Sequence, residues 1–172
     1  MTARRITRAA VAAGVVAAMS AGILAVGQQS SQAADASGTI TGRGAQDQDI
    51  DVGRKGPSVG DRYVFSENLF NRDGDRIGRL AASCDLAAVK RNSNGKVKDA
   101  LQHCIGTFRF SDGQVTAQAA FWWSDEKPDL AITGGTGHYD DASGHVSTNF
   151  SHGNKSEYDF HFNNNGGPTV IG

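Results

Sequence analysis

From residue 60 onward the chain runs in short alternating stretches, each ended by a cluster of turn residues, with no sustained three-to-four spacing of apolar positions. That pattern predicts an all-β domain, an antiparallel barrel or sandwich. Strands are expected at 61–70, 76–89, 100–110, 114–123, 129–133, 144–152 and 156–163. Turns are expected at Asn71-Arg72-Asp73-Gly74, Asn92-Ser93-Asn94-Gly95, Ser111-Asp112-Gly113 and from Asp125 to Pro128. A weaker alternation over 45–52 supplies a first strand, after a small, polar leader at 35–44, and Arg54 to Gly60 is a loop. The count is then about eight strands, mostly in sequential hairpins. An eight-stranded antiparallel up-and-down β-barrel follows, with an interior that holds side chains or one small ligand. No internal repeat or second-domain boundary is visible; 60–163 forms the core of the barrel domain and 164–172 a loose Asn- and Gly-rich tail.

Ahead of this domain, Arg4, Arg5 and Arg8 precede an apolar run from Ala9 to Val26, and small residues cluster at Ser31, Ala33, Ala34 and Ala36. Basic, apolar and small residues in that order predict a secretory signal peptide over 1–34, and hence a secreted, extracellular protein. The alternative is a membrane anchor; the Ala- and Gly-rich run is short and weakly hydrophobic for a span. The Arg4–Arg5 pair leaves the export route open between the general and the twin-arginine pathways. Removing 1–34 takes away three arginines and no acids, so the mature charge is 14 − 18 = −4. A mildly acidic surface argues against nucleic acid, or an anionic membrane after cleavage, as the main partner.

Two cysteines, Cys84 and Cys104, remain in a chain expected to leave the cytosol, and an even count there favours a bridge. Their midpoint is residue 94, inside the Asn92–Gly95 turn, so a hairpin folded there sets them opposite each other. Such a bridge is worth about 3 kcal/mol by loop-entropy reasoning. The other possibility is a free, cavity-facing Cys84.

Several motifs have bland readings. Gly134-Gly135-Thr136-Gly137 lacks the lysine and the following helix of a phosphate loop and is expected to be a tight turn with positive φ. Asp47, Asp49 and Asp51 lack the glycine and final glutamate of a calcium loop and are expected on a solvated strand face. His103, His138, His145, His152 and His161 make no close-spaced metal pair, and no serine sits in a nucleophile elbow. No metal or cofactor is therefore expected.

The informative strand is Asp61 to Leu69. Alternation places Tyr63, Phe65, Glu67 and Leu69 on one face, and its apolar character points that face inward. Glu67 then sits among apolar neighbours, where desolvation favours a neutral carboxyl, the setting of a general acid or base. It could instead be a rim glutamate in water, or one paired with Arg79 or Arg109. The opposite wall carries Leu80, Ala82, Cys84 and Leu86 on one strand and Cys104, Gly106, Phe108 and Phe110 on the next. Small residues beside large aromatics leave room for a pocket or pack into a filled core.

The run Gly60-Asp61-Arg62-Tyr63-Val64-Phe65-Ser66-Glu67-Asn68-Leu69-Phe70 resembles the allene oxide cyclase stretch that reads Gly-Asp, then Phe-Ser-Asn-Lys-Leu-Tyr. Arg76-Ile77-Gly78 followed by Cys84 is similar to that family's Arg-Ile-Gly…Cys strand. Gly113 to Gln118, Leu130 to Tyr139 and Ala142 to Val146 are similar to its Gly-His-Ile-Ala-Val-Gln, Leu-Ala-Val-Thr-Gly-Gly-Ser-Gly-Ile-Phe and Val-Ser-Gly-Gln-Val segments. The Gly-Gly-Thr-Gly segment also resembles dirigent proteins. The resemblance spans about 60–162 and implies a secreted bacterial member of the superfamily. It implies a calycin-type barrel with an apolar cavity, often assembled as a homotrimer or alternatively a homodimer, acting on a small apolar ligand by isomerising cyclisation or stereoselective coupling. The family's asparagine after Phe-Ser falls on Glu67 and its cavity cysteine on Cys84.

The leading expectation is a ligand-binding lumen shaped by Tyr63, Phe65, Leu69, Leu80, Phe108 and Phe110, with Glu67 as catalytic acid or base and Cys84 joined to Cys104. A non-catalytic carrier, and a filled barrel acting through its outer surface, are the alternatives.

Overall fold

The structure, a computed structural model, describes residues 37–150 and 155–163. The expected signal segment and the tail from 164 lie outside the described residues. The strands are β1 (Ser37–Ile50), β2 (Arg62–Phe70), β3 (Arg76–Arg91), β4 (Val97–Phe110), β5 (Gly113–Trp122), β6 (Asp129–Gly137), β7 (Gly144–Asn149) and β8 (Lys155–Phe162). Each pairs antiparallel with the next, and β8 pairs back onto β1, so the sheet closes into a barrel. Closure pairs the first and last strands and removes the free edges that would otherwise recruit another sheet.

Local chemistry sets the turns. At the β3–β4 turn Asn92 Oδ1 accepts from the Asn94 and Lys96 amides, while the Asn92 carbonyl accepts from Gly95. At the β2–β3 turn Asn71 Oδ1 accepts from the Asp75 amide in the same way. β3 carries one extra residue between Leu86 and Ala88, and β4 one between Val97 and Asp99. The two slips cancel, so Cys84 still meets Cys104 across the ladder, and the two are disulfide-bonded.

Two sequence expectations are corrected. The stretch 37–44, read as leader, is the first half of β1, paired with β8 over Ser37 to Arg43 and with β2 from Thr41 onward. Gly134 to Gly137 is not itself the turn: it stays in β6, paired with Gly113 to Thr116 of β5. The loop that follows folds back so closely that a side chain at Gly135 would collide with the Tyr139 carbonyl. Only Gly137, with φ +66°, starts the turn, where the Thr136 and Gly137 carbonyls accept from Tyr139 and Asp140.

Inward-facing residues form layers. Phe108, Phe110, Phe160 and Phe162 crowd one half of the lumen with Leu69, Val115 and Val146. Phe108 and Phe160 meet edge to face at 4.9 Å, an arrangement worth about 0.5–1.5 kcal/mol beyond burial. Tyr139, from the β6–β7 loop, plugs this end against Phe110. In the other half β4 carries Gly106 and Cys104 in place of Phe108 and Phe110, beside Ala82 and Cys84 of β3.

Candidate functional site

Glu67 lies at the boundary between the two halves, 7% exposed. Its strand neighbours on the same layer are Leu80 and, beyond it, Phe108. The carboxylate reaches across β1 to β8, where Ser156 Oγ donates to Oε1 at 2.9 Å and Tyr158 OH donates to Oε2 at 2.8 Å. The crossing needs Gly42: a Cβ there would lie 1.9 Å from Oε2. Burial, then the negative charge of Glu67, pushes the Tyr158 phenol far up, so it remains a proton donor. Arg79 and Arg109 are exposed on the outside of the barrel, and Arg79 bonds to Ser66 instead.

Beyond Glu67 a cavity of about 430 Å³ opens towards the mouth. Tyr63, Phe65, Leu80 and Phe108, all expected from the sequence, line it, as does the disulfide. Leu69 and Phe110, expected with them, do not: they are packed into the closed half. They share the inward face but sit too deep along the barrel axis. Gly106 and Ala82 make the space, and Phe121 and Phe150, stacked at 6.2 Å, also line it. A second void of about 510 Å³ at the mouth shares Tyr63, Cys84 and Gln102 with the first and is bordered by the β1–β2 loop. The Asp61 carboxylate holds that loop, accepting from the Val52 and Ser58 amides and from Ser58 Oγ. The hydrogen bonds from the Val52 and then the Ser58 amide lower the Asp61 pKa from its ordinary value.

Asp47, Asp49 and Asp51 are solvated as expected, the first two on β1 and Asp51 just past its end. One extra residue between Gly44 and Gln46 shifts the register, so Asp47 stands opposite Phe65 and Asp49 opposite Tyr63. Both are exposed, yet they belong to the lumen side of the mouth, and Asp47 borders the cavity. The Tyr63 phenol is pushed up by burial and then by Asp47, Asp49 and Glu67. Ser156, Tyr158 and Gly42 carried no signal in the sequence; they are recognisable only once β1 lies between β2 and β8. Among the described residues no group of three His, Cys, Asp or Glu side chains is placed to hold a metal ion.

The sequence pattern described as "Allene oxide cyclase barrel like domain" matches residues 28–160. No curated protein matches the chain. Among solved structures, pyocyanin demethylase is similar at 24% identity and TM-score 0.64, over 74% of this chain and 99% of that one. The exo-specific intermolecular Diels-Alderase AbnU is similar at 15% identity and TM-score 0.57, over 73% of this chain and 96% of that one. The pterocarpan synthase dirigent protein PsPTS1 is similar at 17% identity and TM-score 0.55, over 74% of this chain and 95% of that one. At such identities the likeness is one of fold.

Proposed function

The chain belongs to the family of allene oxide cyclase barrel-like domains, and from that premise we propose that its lumen confines a small apolar molecule and directs its cyclisation or coupling. The observation that carries this is Glu67: a buried carboxyl, oriented by two hydroxyls, at the floor of a cavity of about 430 Å³ walled by rings. That volume falls among ligand sites, which span about 300–1,000 Å³. The walls hold the substrate in a folded conformer, which removes much of the entropy cost of ring closure. Glu67 takes a proton from one atom of the substrate and, as the acid so formed, returns it to another. Composition is unchanged, as an isomerisation requires. Ser156 and Tyr158 fix the carboxylate by donating to its two oxygens. The structural relatives named as a Diels-Alderase and a dirigent protein show the fold accommodating bond-forming or coupling roles.

The same reading makes this a secreted protein: the Cys84–Cys104 bridge suits an oxidising compartment. Among the described residues no helix is long and apolar enough to cross a membrane.

Incubation with the methyl ester of an unstable unsaturated fatty-acid epoxide tests the chemistry. One enantiomer of the ring product should exceed the other, formed faster than in buffer. Glu67→Gln should return the rate to the spontaneous value with thermal stability and affinity nearly unchanged. Racemic product at the spontaneous rate from the unaltered protein would leave a carrier and no enzyme.

A further inference from the structure

We propose that the molecule received by this lumen is a cation: a flat or compact hydrocarbon body bearing a quaternary or protonated amine. The inference builds on the lumen as a ligand site and adds the charge of what enters it.

Its basis is the missing countercharge. Glu67 is 7% exposed, and both its hydrogen-bond donors are neutral hydroxyls. Among the described residues the ion pairs are Arg62 with Asp85 and Lys90 with Asp99, so no basic side chain neutralises Glu67. A buried carboxylate without an opposite charge is costly, and a bound cation would remove that cost.

The walls favour the same sign. Tyr63, Phe65, Phe121, Phe108 and Tyr158 line the void. Ring faces are negative and attract a cation within about 6 Å. The entrance agrees as well. Asp47 and Asp49 flank Tyr63 at the mouth, and neither is in an ion pair among the described residues. Two basic residues border the voids. Arg62 is held by Asp85, and Lys155 is exposed at the edge of the cavity without an ion-pair partner among the described residues. An organic carboxylate would therefore meet acidic groups at both the mouth and the floor.

Three fluorescent naphthalene probes test this: naphthylmethyl-trimethylammonium, its neutral carbon isostere neopentylnaphthalene, and the anion of naphthylacetic acid. The cation should bind the full-length protein about tenfold tighter than the neutral probe, with the anion weakest. Glu67→Gln should erase the cation's lead while leaving the neutral probe unchanged. Tyr158→Phe, which keeps the charge and removes one donor, should preserve the lead. Asp47→Asn combined with Asp49→Asn should reduce it less than Glu67→Gln does, because water and salt screen the exposed mouth. If the neutral probe or the anion binds as tightly as the cation, or the lead survives Glu67→Gln, the inference is overturned and the lumen remains a ligand site. If none of the three enters, the ligand site falls with it.

Discussion

The two halves of this barrel share the same strands and the same alternation, yet one is solid and the other hollow. In the closed half, β4 contributes Phe108 and Phe110 and β8 contributes Phe160 and Phe162, with Tyr139 as a plug. Towards the mouth the same β4 face carries Gly106 and Cys104, and β3 carries Ala82 and Cys84. Hydrophobicity decides which face turns inward, and side-chain volume decides whether that face fills the lumen. Glu67 occupies the change of layer, level with Leu80 and Phe108, and borders the cavity with them.

Mutations can break or sharpen this contrast. The largest effect is expected for Phe160→Ala, fully buried in the closed half: about 3–5 kcal/mol lost in chemical denaturation. A loss under about 1 kcal/mol, the scale of a surface site, would mean the closed half is not tightly packed. Removing the bridge with Cys84→Ser and Cys104→Ser together should cost about 3 kcal/mol, since it frees a loop of 20 residues from the unfolded chain's constraint. Non-reducing denaturation of the two proteins side by side reads this directly. Adding volume should discriminate more finely. Ala117→Phe, at a position with no exposure and no border on the cavity, should cost about 1–3 kcal/mol by overpacking. Ala82→Phe, in the cavity wall, should cost less than Ala117→Phe and abolish probe binding.

The smallest effect is a matter of pH. Asp61 has a lowered folded-state pKa, so its contribution is complete above its ordinary value of 3.8 and is lost as pH falls through the folded value. Acid should release the β1–β2 loop at the mouth before it touches the closed half. The Val52 and Ser58 amide shifts, followed by NMR, should change together with one midpoint below 3.8. Separate midpoints, or one above that value, would remove Asp61 as the anchor.

Much of this was legible in the sequence because the signals were local. The Asn92 and Asn71 turns depend on residues within four positions, and the Cys84–Cys104 register needed only a midpoint, preserved by two cancelling slips. The inward face of β2 followed from alternation. Depth did not, because a period of two reports which side of a sheet a residue faces and nothing about its height in a barrel. Leu69 and Phe110 were misplaced for that reason. The first half of β1 was missed because Ile40 is the sole large apolar residue between Ser37 and Asp49, and a strand held by its ladders to β8 and β2 needs no hydrophobic pattern of its own. The partners of Glu67 lie 89 and 91 positions away in the chain, joined to it only by closure of the barrel.

The irregularity in β1 has a wider meaning for how such a protein can change. Because Ala45 is the surplus residue, deleting it would join Gly44 to Gln46 and leave Gln46 opposite Ser66, Asp47 opposite Phe65 and Asp49 opposite Tyr63. The doorway would keep its acidic polarity, and only the local kink in the strand would go. A lineage could thereby lose one codon here without altering what its barrel admits.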